Sequence, residues 1–78
     1  MARVKISDPE ASLYPFRLHV GDRVESLDDP SLRGKIIDGE YDGAQGGSGG
    51  SYTVSYTVEV GDGLVFGAEE LRLKKIDQ

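Results

Sequence analysis

The sequence of 78 residues predicts an all-β fold, a small barrel of five or six short strands. Residues 52–60 alternate without interruption between an apolar and a polar face, as a half-buried strand does. The rest of the chain consists of short extended segments bounded by glycine and proline turns, without a long amphipathic helix pattern. The apolar row of the central strand needs a covering surface, and closing the sheet removes exposed edges. A barrel is therefore favoured over an open sheet.

The predicted core is built on the apolar face of residues 52–60, which alternates from Tyr52 to Val60. Period-2 alternation and barrel closure direct one face of each strand inward. The residues expected to be buried are Val20, Val24, Ile36, Val54, Tyr56, Val58, Leu71 and Leu73.

Residues 1–17 are predicted to form an N-terminal extension ahead of a barrel over residues 18–78. Residues 2–6 alternate as a short edge strand. Pro9 ends it, because proline has no backbone N–H for the strand ladder. A helical turn over 9–14 is expected to follow, with Asp8 as its cap.

The barrel segment is predicted to begin with a bend at Gly21 and a strand over 23–27. Residues 28–31 contain proline and aspartates, which favour a turn. The next strand is predicted over 32–41, and Gly34 within it suggests a bulge.

The segment after the central strand predicts a hairpin. Residues 61–63 read Gly-Asp-Gly and favour a tight turn, since glycine adopts positive φ angles readily. A returning strand over 64–67, one helical or 3-10 turn over 68–71 and a last strand over 72–76 are expected to follow.

The loop over 43–51 has no side chain suited to packing and is predicted to be flexible. Its Gly-Gly-Ser-Gly-Gly-Ser core matches the linkers that protein engineers insert, and the alternative is a natural glycine-rich loop. An engineered linker would have replaced a native loop over 46–51.

Composition restricts the partners. Nine basic and fourteen acidic residues give a formal net charge of −5, so nucleic acid and anionic membrane are not expected partners. A protein partner with basic residues, or a second copy of the chain, is expected instead. No cysteine is present, which excludes disulfides, argues against a structural zinc and fits a cytoplasmic setting. No cofactor is predicted.

The order of elements resembles SH3-like small barrels of the Tudor and KOW type. The resemblance rests on Val20-Gly21-Asp22-Arg23-Val24, on Arg33-Gly34-Lys35-Ile36, and on a helical turn before the last strand. It covers residues 18–76 and implies the fold. Such barrels bind peptides, methylated side chains, nucleic acids or partner subunits, so the fold does not select one function.

Plasmid-borne type II dihydrofolate reductases are SH3-like chains that assemble around a pore, and this chain resembles them at Val20-Gly21-Asp22-Arg23-Val24 and at Gly34-Lys35-Ile36. Their active site depends on a Val-Gln-Ile-Tyr segment on a late strand. Residues 63–67 of this chain read Gly-Leu-Val-Phe-Gly, without the glutamine or the tyrosine. The resemblance therefore extends to the fold and not to the reductase chemistry.

The candidate binding residues flank the glycine-rich loop: Tyr41, Tyr52, Asp38, Glu40 and Asp42. Tyrosine ring faces attract cations, and nearby carboxylates raise the local cation concentration. The sequence thus predicts a site for a basic peptide at the solvent-exposed mouth of the barrel. The alternative is that the rings pack across the hairpin without a ligand.

No catalytic or metal-binding residue is predicted. His19 is the single histidine, and no nucleophile can be assigned to it from spacing. The acidic alternation from Asp38 imitates the start of a calcium loop, but glycine stands where that loop needs glutamate. The predicted function is a small non-enzymatic interaction module. The alternatives are an oligomeric SH3-like barrel with a small-molecule or reductase-type site in a pore, and an engineered folding variant without retained activity.

Overall fold

The computed structural model describes residues 2–43 and 51–76 and confirms the all-β class. Among the described residues, six strands form one antiparallel sheet: β1 (Ala2–Lys5), β2 (Arg23–Ser26), β3 (Arg33–Gly43), β4 (Tyr52–Gly61), β5 (Leu64–Glu69) and β6 (Leu73–Lys75). The same ranges contain two 3-10 helices: Pro9–Leu13 follows β1, and Glu70–Arg72 precedes β6. The predicted flexible loop falls largely on residues 44–50, outside the described residues. Within the described part, no helix is long and apolar enough to cross a membrane.

Strand β3 organises the sheet. The strand order is β5-β4-β3-β2-β6, and β1 pairs with β3 beside this path. The first part of β3 pairs with β2, through Arg23 opposite Lys35, and its last part pairs with β1, through Lys5 opposite Glu40. Strands β1 and β2 thus follow each other along one edge of β3, while β4 occupies the other.

The core confirms six of the eight residues predicted to be buried. Its hydrophobic members are Val4, Leu18, Val24, Ile36, Tyr41, Val54, Tyr56, Val58 and Leu73. Val20 and Leu71 were predicted wrongly, with 57% and 82% of their surface exposed. Val20 precedes the turn at Gly21 and lies outside any strand, and Leu71 lies within the second 3-10 helix, so strand alternation applies to neither.

The predicted N-terminal strand is β1, which pairs with β3, and Val4 lies in the core at 3% exposure. Asp8 occupies the cap position of the first 3-10 helix, but its side chain makes no capping hydrogen bond. Its carboxylate accepts instead from the Lys5 backbone N–H at 2.9 Å, which closes the turn after β1.

The β4–β5 hairpin has the predicted tight turn. Asp62 and Gly63 adopt φ angles of 54° and 78°, as both central residues of a type I′ turn do. The helical turn expected over 68–71 lies instead at Glu70–Arg72, and β5 continues to Glu69.

A β-bulge interrupts β3 between Ile36 and Asp38, not at Gly34 as predicted. Ile36 and Tyr41 are both buried although they are five positions apart, which strict alternation forbids. The extra residue at Ile37 shifts the alternation by one, so that Gly39 and Tyr41 face inward. Gly34 has a different role: a Cβ there would lie 2.0 Å from the Glu59 carbonyl oxygen on β4.

Candidate functional site

The bulge in β3 determines where the acidic residues lie. Because Gly39 and Tyr41 face the core, Asp38, Glu40 and Asp42 face outward from β3. Strand β1 lies beside them and contributes two cations to the same face. Without the extra residue, these three carboxylates would point into the hydrophobic core.

The cations of β1 pair with these carboxylates. Lys5 Nζ lies 3.3 Å from Asp38, and the Arg3 guanidinium lies 3.8 Å from Glu40 and 3.5 Å from Asp42. Arg3 and Lys5 are more than half exposed, and exposed ion pairs are weak and readily exchanged. The carboxylates therefore remain open to a competing cation.

A groove of about 530 Å³ crosses this outer face. Its floor combines the hydroxyl residues Ser55 and Thr57 with backbone at Gly39 and Gly67. Strand register explains the arrangement, because Ser55 lies between Glu40 and Glu69 on the neighbouring strands, and Thr57 lies between Asp38 and Gly67. Glycine at position 67 leaves that row without a side chain at its outer end.

The groove carries an excess of negative charge. Four carboxylates line it, at Asp28, Asp38, Glu40 and Glu69, against the cations of Lys5 and Arg72. Both cations are already engaged, Lys5 with Asp38 and Arg72 Nη1 with Asp28 at 3.2 Å. Among the described residues Glu69 has no ion-pair partner. An incoming cation would find Glu69 unneutralised.

The two candidate tyrosines lie elsewhere. The expectation that Tyr41 lies at the solvent-exposed mouth is wrong, because it is 2% exposed and belongs to the core. Its ring packs between those of Tyr14, at a centroid distance of 4.7 Å, and Tyr52, at 5.2 Å. Burial, followed by the charges of those two neighbours, raises the pKa of Tyr41. Such a ring stabilises the fold and presents no face to a ligand.

Tyr52 is 53% exposed and lies at the start of β4. It lines a separate depression of about 240 Å³ with Arg17 and Leu71. Of the five predicted binding residues, the structure thus brings Asp38 and Glu40 into the groove and places Asp42 on the same face beyond it. Tyr41 and Tyr52 stack on each other, away from the groove.

A hydrogen-bonded network around Tyr56 was not predicted. The Tyr56 hydroxyl donates to the Glu70 carboxylate at 2.5 Å and accepts from the Leu18 backbone N–H at 3.2 Å. Glu70 also accepts from the Arg17 backbone N–H at 3.0 Å. Burial, and then the hydrogen bond to Glu70, raises the pKa of Tyr56. The available signal was the inward position of Tyr56, because a buried hydroxyl usually finds a partner.

The single histidine lies at the surface beside a carboxylate. The His19 side chain is 72% exposed, and its Nδ1 lies 3.8 Å from Asp22. No group of three or more His, Cys, Asp and Glu side chains in the described ranges could hold a metal ion.

Comparison of the chain with protein-family models, with curated proteins and with solved structures finds no match. The acidic groove is the feature of the described surface from which a function can be argued.

Proposed function

We propose that this chain is a small non-enzymatic interaction module whose acidic groove binds a protein partner through lysine or arginine side chains. The observation that carries the proposal is the groove itself, with four carboxylates, two engaged cations and a floor of hydroxyls and glycine backbone. Carboxylates accept charge-assisted hydrogen bonds from guanidinium and ammonium groups, which are about twice as strong as neutral ones.

The bulge in β3 supports the proposal. A residue inserted into a long strand disrupts its ladder locally, and such bulges concentrate beside functional sites. Here the inserted residue leaves Ile37 43% exposed and turns Asp38 and Glu40 outward. If β3 served packing alone, it could keep regular alternation, with an apolar residue at position 38 facing the core.

Whole-chain charge supports the same partner. The formal net charge of −5 attracts a basic partner before contact and repels an acidic one. Ion pairs at this exposed face are screened by salt. The interaction is therefore expected to weaken as ionic strength rises.

The SH3-like assignment is part of the proposal and is supported by two features. Strands β2 and β6, the first and last of the segment from residue 18 onward, are hydrogen-bonded neighbours, which brings the two ends of that segment together in one sheet. A 3-10 helix immediately precedes the last strand, as the resemblance implies.

The test uses two sets of short peptides matched in length and apolar content, one rich in lysine and arginine and one rich in aspartate and glutamate. Fluorescence anisotropy measures their affinity for the chain. The proposal predicts binding of the basic set alone. Neutralising the groove with Glu40→Gln and Glu69→Gln should weaken that binding about tenfold, which is about 1.4 kcal/mol.

The matched control removes the same two charges elsewhere, with Glu10→Gln in the first 3-10 helix and Asp62→Asn in the β4–β5 turn. Both residues are exposed and lie outside the groove. This variant should keep most of the affinity. Equal weakening of both variants would assign the attraction to net charge and contradict a groove site.

A further inference from the structure

We propose that the partner binds as an extended strand added to the free edge of β5, with a basic side chain opposite Glu69. This inference rests on the proposed function, since it names the manner in which a basic partner is held. Addition of a strand to a sheet edge supplies main-chain hydrogen bonds, and side chains on alternate positions supply specificity.

Strands β1, β5 and β6 lie at edges of the described sheet, and their sequences point to β5 as the edge that accepts a partner. Strand β1 contains Arg3 and Lys5, and β6 is three residues long and contains Lys74 and Lys75. Short length and lysine are devices by which proteins protect sheet edges from unwanted pairing. Strand β5 reads Leu-Val-Phe-Gly-Ala-Glu and carries no charge or proline before Glu69.

Strand β5 is also accessible. Among the described residues it pairs with β4 alone, so alternate residues direct backbone N–H and C=O groups away from the sheet. Leu64 and Val65 are 67% and 52% exposed. A Cβ at Gly67 would meet only the Tyr56 carbonyl oxygen, at 3.8 Å, so the space above Gly67 is open to another side chain.

Register predicts what the added strand carries. Val65, Gly67 and Glu69 lie opposite Glu59, Thr57 and Ser55, which places them on the outer face. An antiparallel strand would continue these rows, with lysine or arginine opposite Glu69. A large aromatic side chain opposite Gly67 would cover the bare backbone, and a β-branched residue would pack on Val65. From its N-terminus the partner segment therefore reads basic, any, aromatic, any, β-branched.

A second copy of this chain fits the edge less well than a basic strand. Each copy carries a formal net charge of −5, so two copies repel, and β5 itself has no basic residue to place opposite Glu69. The charge of the edge and of the groove beside it therefore selects a basic segment.

The test uses the whole chain and the peptide Thr-Lys-Thr-Tyr-Thr-Val-Thr, with Thr-Tyr-Thr-Lys-Thr-Val-Thr as a control of identical composition and charge. The first peptide should bind about fivefold more tightly, because only its order sets lysine opposite Glu69, tyrosine opposite Gly67 and valine opposite Val65 in one register. Hydrogen exchange should show new protection at alternate amides of β5. N-methylation of the peptide at the alternate amides that face β5 should abolish binding.

Charge reversal tests the register further. Glu69→Lys should reject the first peptide and accept its counterpart in which lysine is replaced by glutamate. Glu69→Gln should weaken the first peptide without accepting the counterpart. Failure of this exchange of preference would overturn the register.

The remaining outcomes are separable. Binding of basic peptides that Glu40→Gln weakens, with no protection in β5, would overturn this inference and leave the groove proposal standing. Absence of binding to any basic peptide would overturn both. Protection of β5 that rises with protein concentration in the absence of peptide, with a dimer by sedimentation, would assign the edge to a second copy and overturn the inference.

Discussion

The Tyr56 hydroxyl connects three separate parts of the chain. It lies on the central strand, donates to Glu70 in the second 3-10 helix, and accepts from the backbone N–H of Leu18 in the segment before β2. A buried hydroxyl that both donates and accepts satisfies polar groups that would otherwise be costly inside the fold. The network therefore holds the second 3-10 helix against the segment that leads into β2.

Replacement of Tyr56 by phenylalanine should lower the free energy of unfolding by about 1–2 kcal/mol near neutral pH, because the Leu18 N–H loses its acceptor. The variant should also change the response to alkali. The pKa of Tyr56 is raised in the folded chain, whereas a tyrosine in the unfolded chain ionises near about pH 10. The folded state then holds a proton that the unfolded state has released, so the contribution is present below about pH 10 and is lost as pH rises.

Urea denaturation between about pH 8 and pH 11 measures this difference. The wild-type unfolding free energy should fall more steeply above about pH 10 than that of Tyr56→Phe. Some slope should remain in the variant, since burial also raises the pKa of Tyr41. Parallel curves would show that the Tyr56 hydroxyl does not couple to folding.

Tyr41→Ala tests whether the Tyr41 ring belongs to the hydrophobic core, as its burial indicates. The ring is buried between two others, so its removal should cost about 3–5 kcal/mol of folding stability. Tyr52→Ala removes the half-exposed outer ring of the same stack and should cost much less. Thermal melts of both variants provide the measurement, and equal losses would contradict the assignment of Tyr41 to the core.

The regular strands and the β4–β5 turn were predictable from the sequence, but the position of the bulge in β3 was not. Strand β4 and the turn at Asp62 and Gly63 follow from alternation and glycine, which act locally. The position of the bulge depends on which residues reach the core on both sides of it. The odd spacing between Ile36 and Tyr41 indicates the bulge only once Tyr41 is known to be buried, and Tyr41 was predicted to lie at the solvent-exposed mouth.

Gly34 is required by the close approach of β3 to β4. An alanine Cβ would lie 2.0 Å from the Glu59 carbonyl oxygen, so backbone would have to move. Gly34→Ala should destabilise the fold by at least about 2 kcal/mol. Gly67→Ala is the matched control, because its Cβ would meet its nearest neighbour at 3.8 Å and should change stability by less than about 1 kcal/mol. Equal denaturation midpoints would exclude the steric account.

The all-β class and most of the core were predictable from the sequence, while the groove was only partly predictable. Asp38 and Glu40 were identified from their alternation, but Asp28, Glu69 and Arg72 join them only through folding. Strand order and the path of the second 3-10 helix bring these side chains together from distant positions. Single-sequence periodicity describes neighbours along one strand and contains no information about side chains that meet across the sheet.

Chemical-shift mapping of the whole chain during titration with a lysine-rich peptide tests the acidic groove most directly. The amide signals of residues 38–40, 55–57 and 67–69 should shift together and saturate with one affinity, and that affinity should fall as salt is raised. Shifts concentrated at Tyr52 and Leu71, which line the separate depression, would contradict the account.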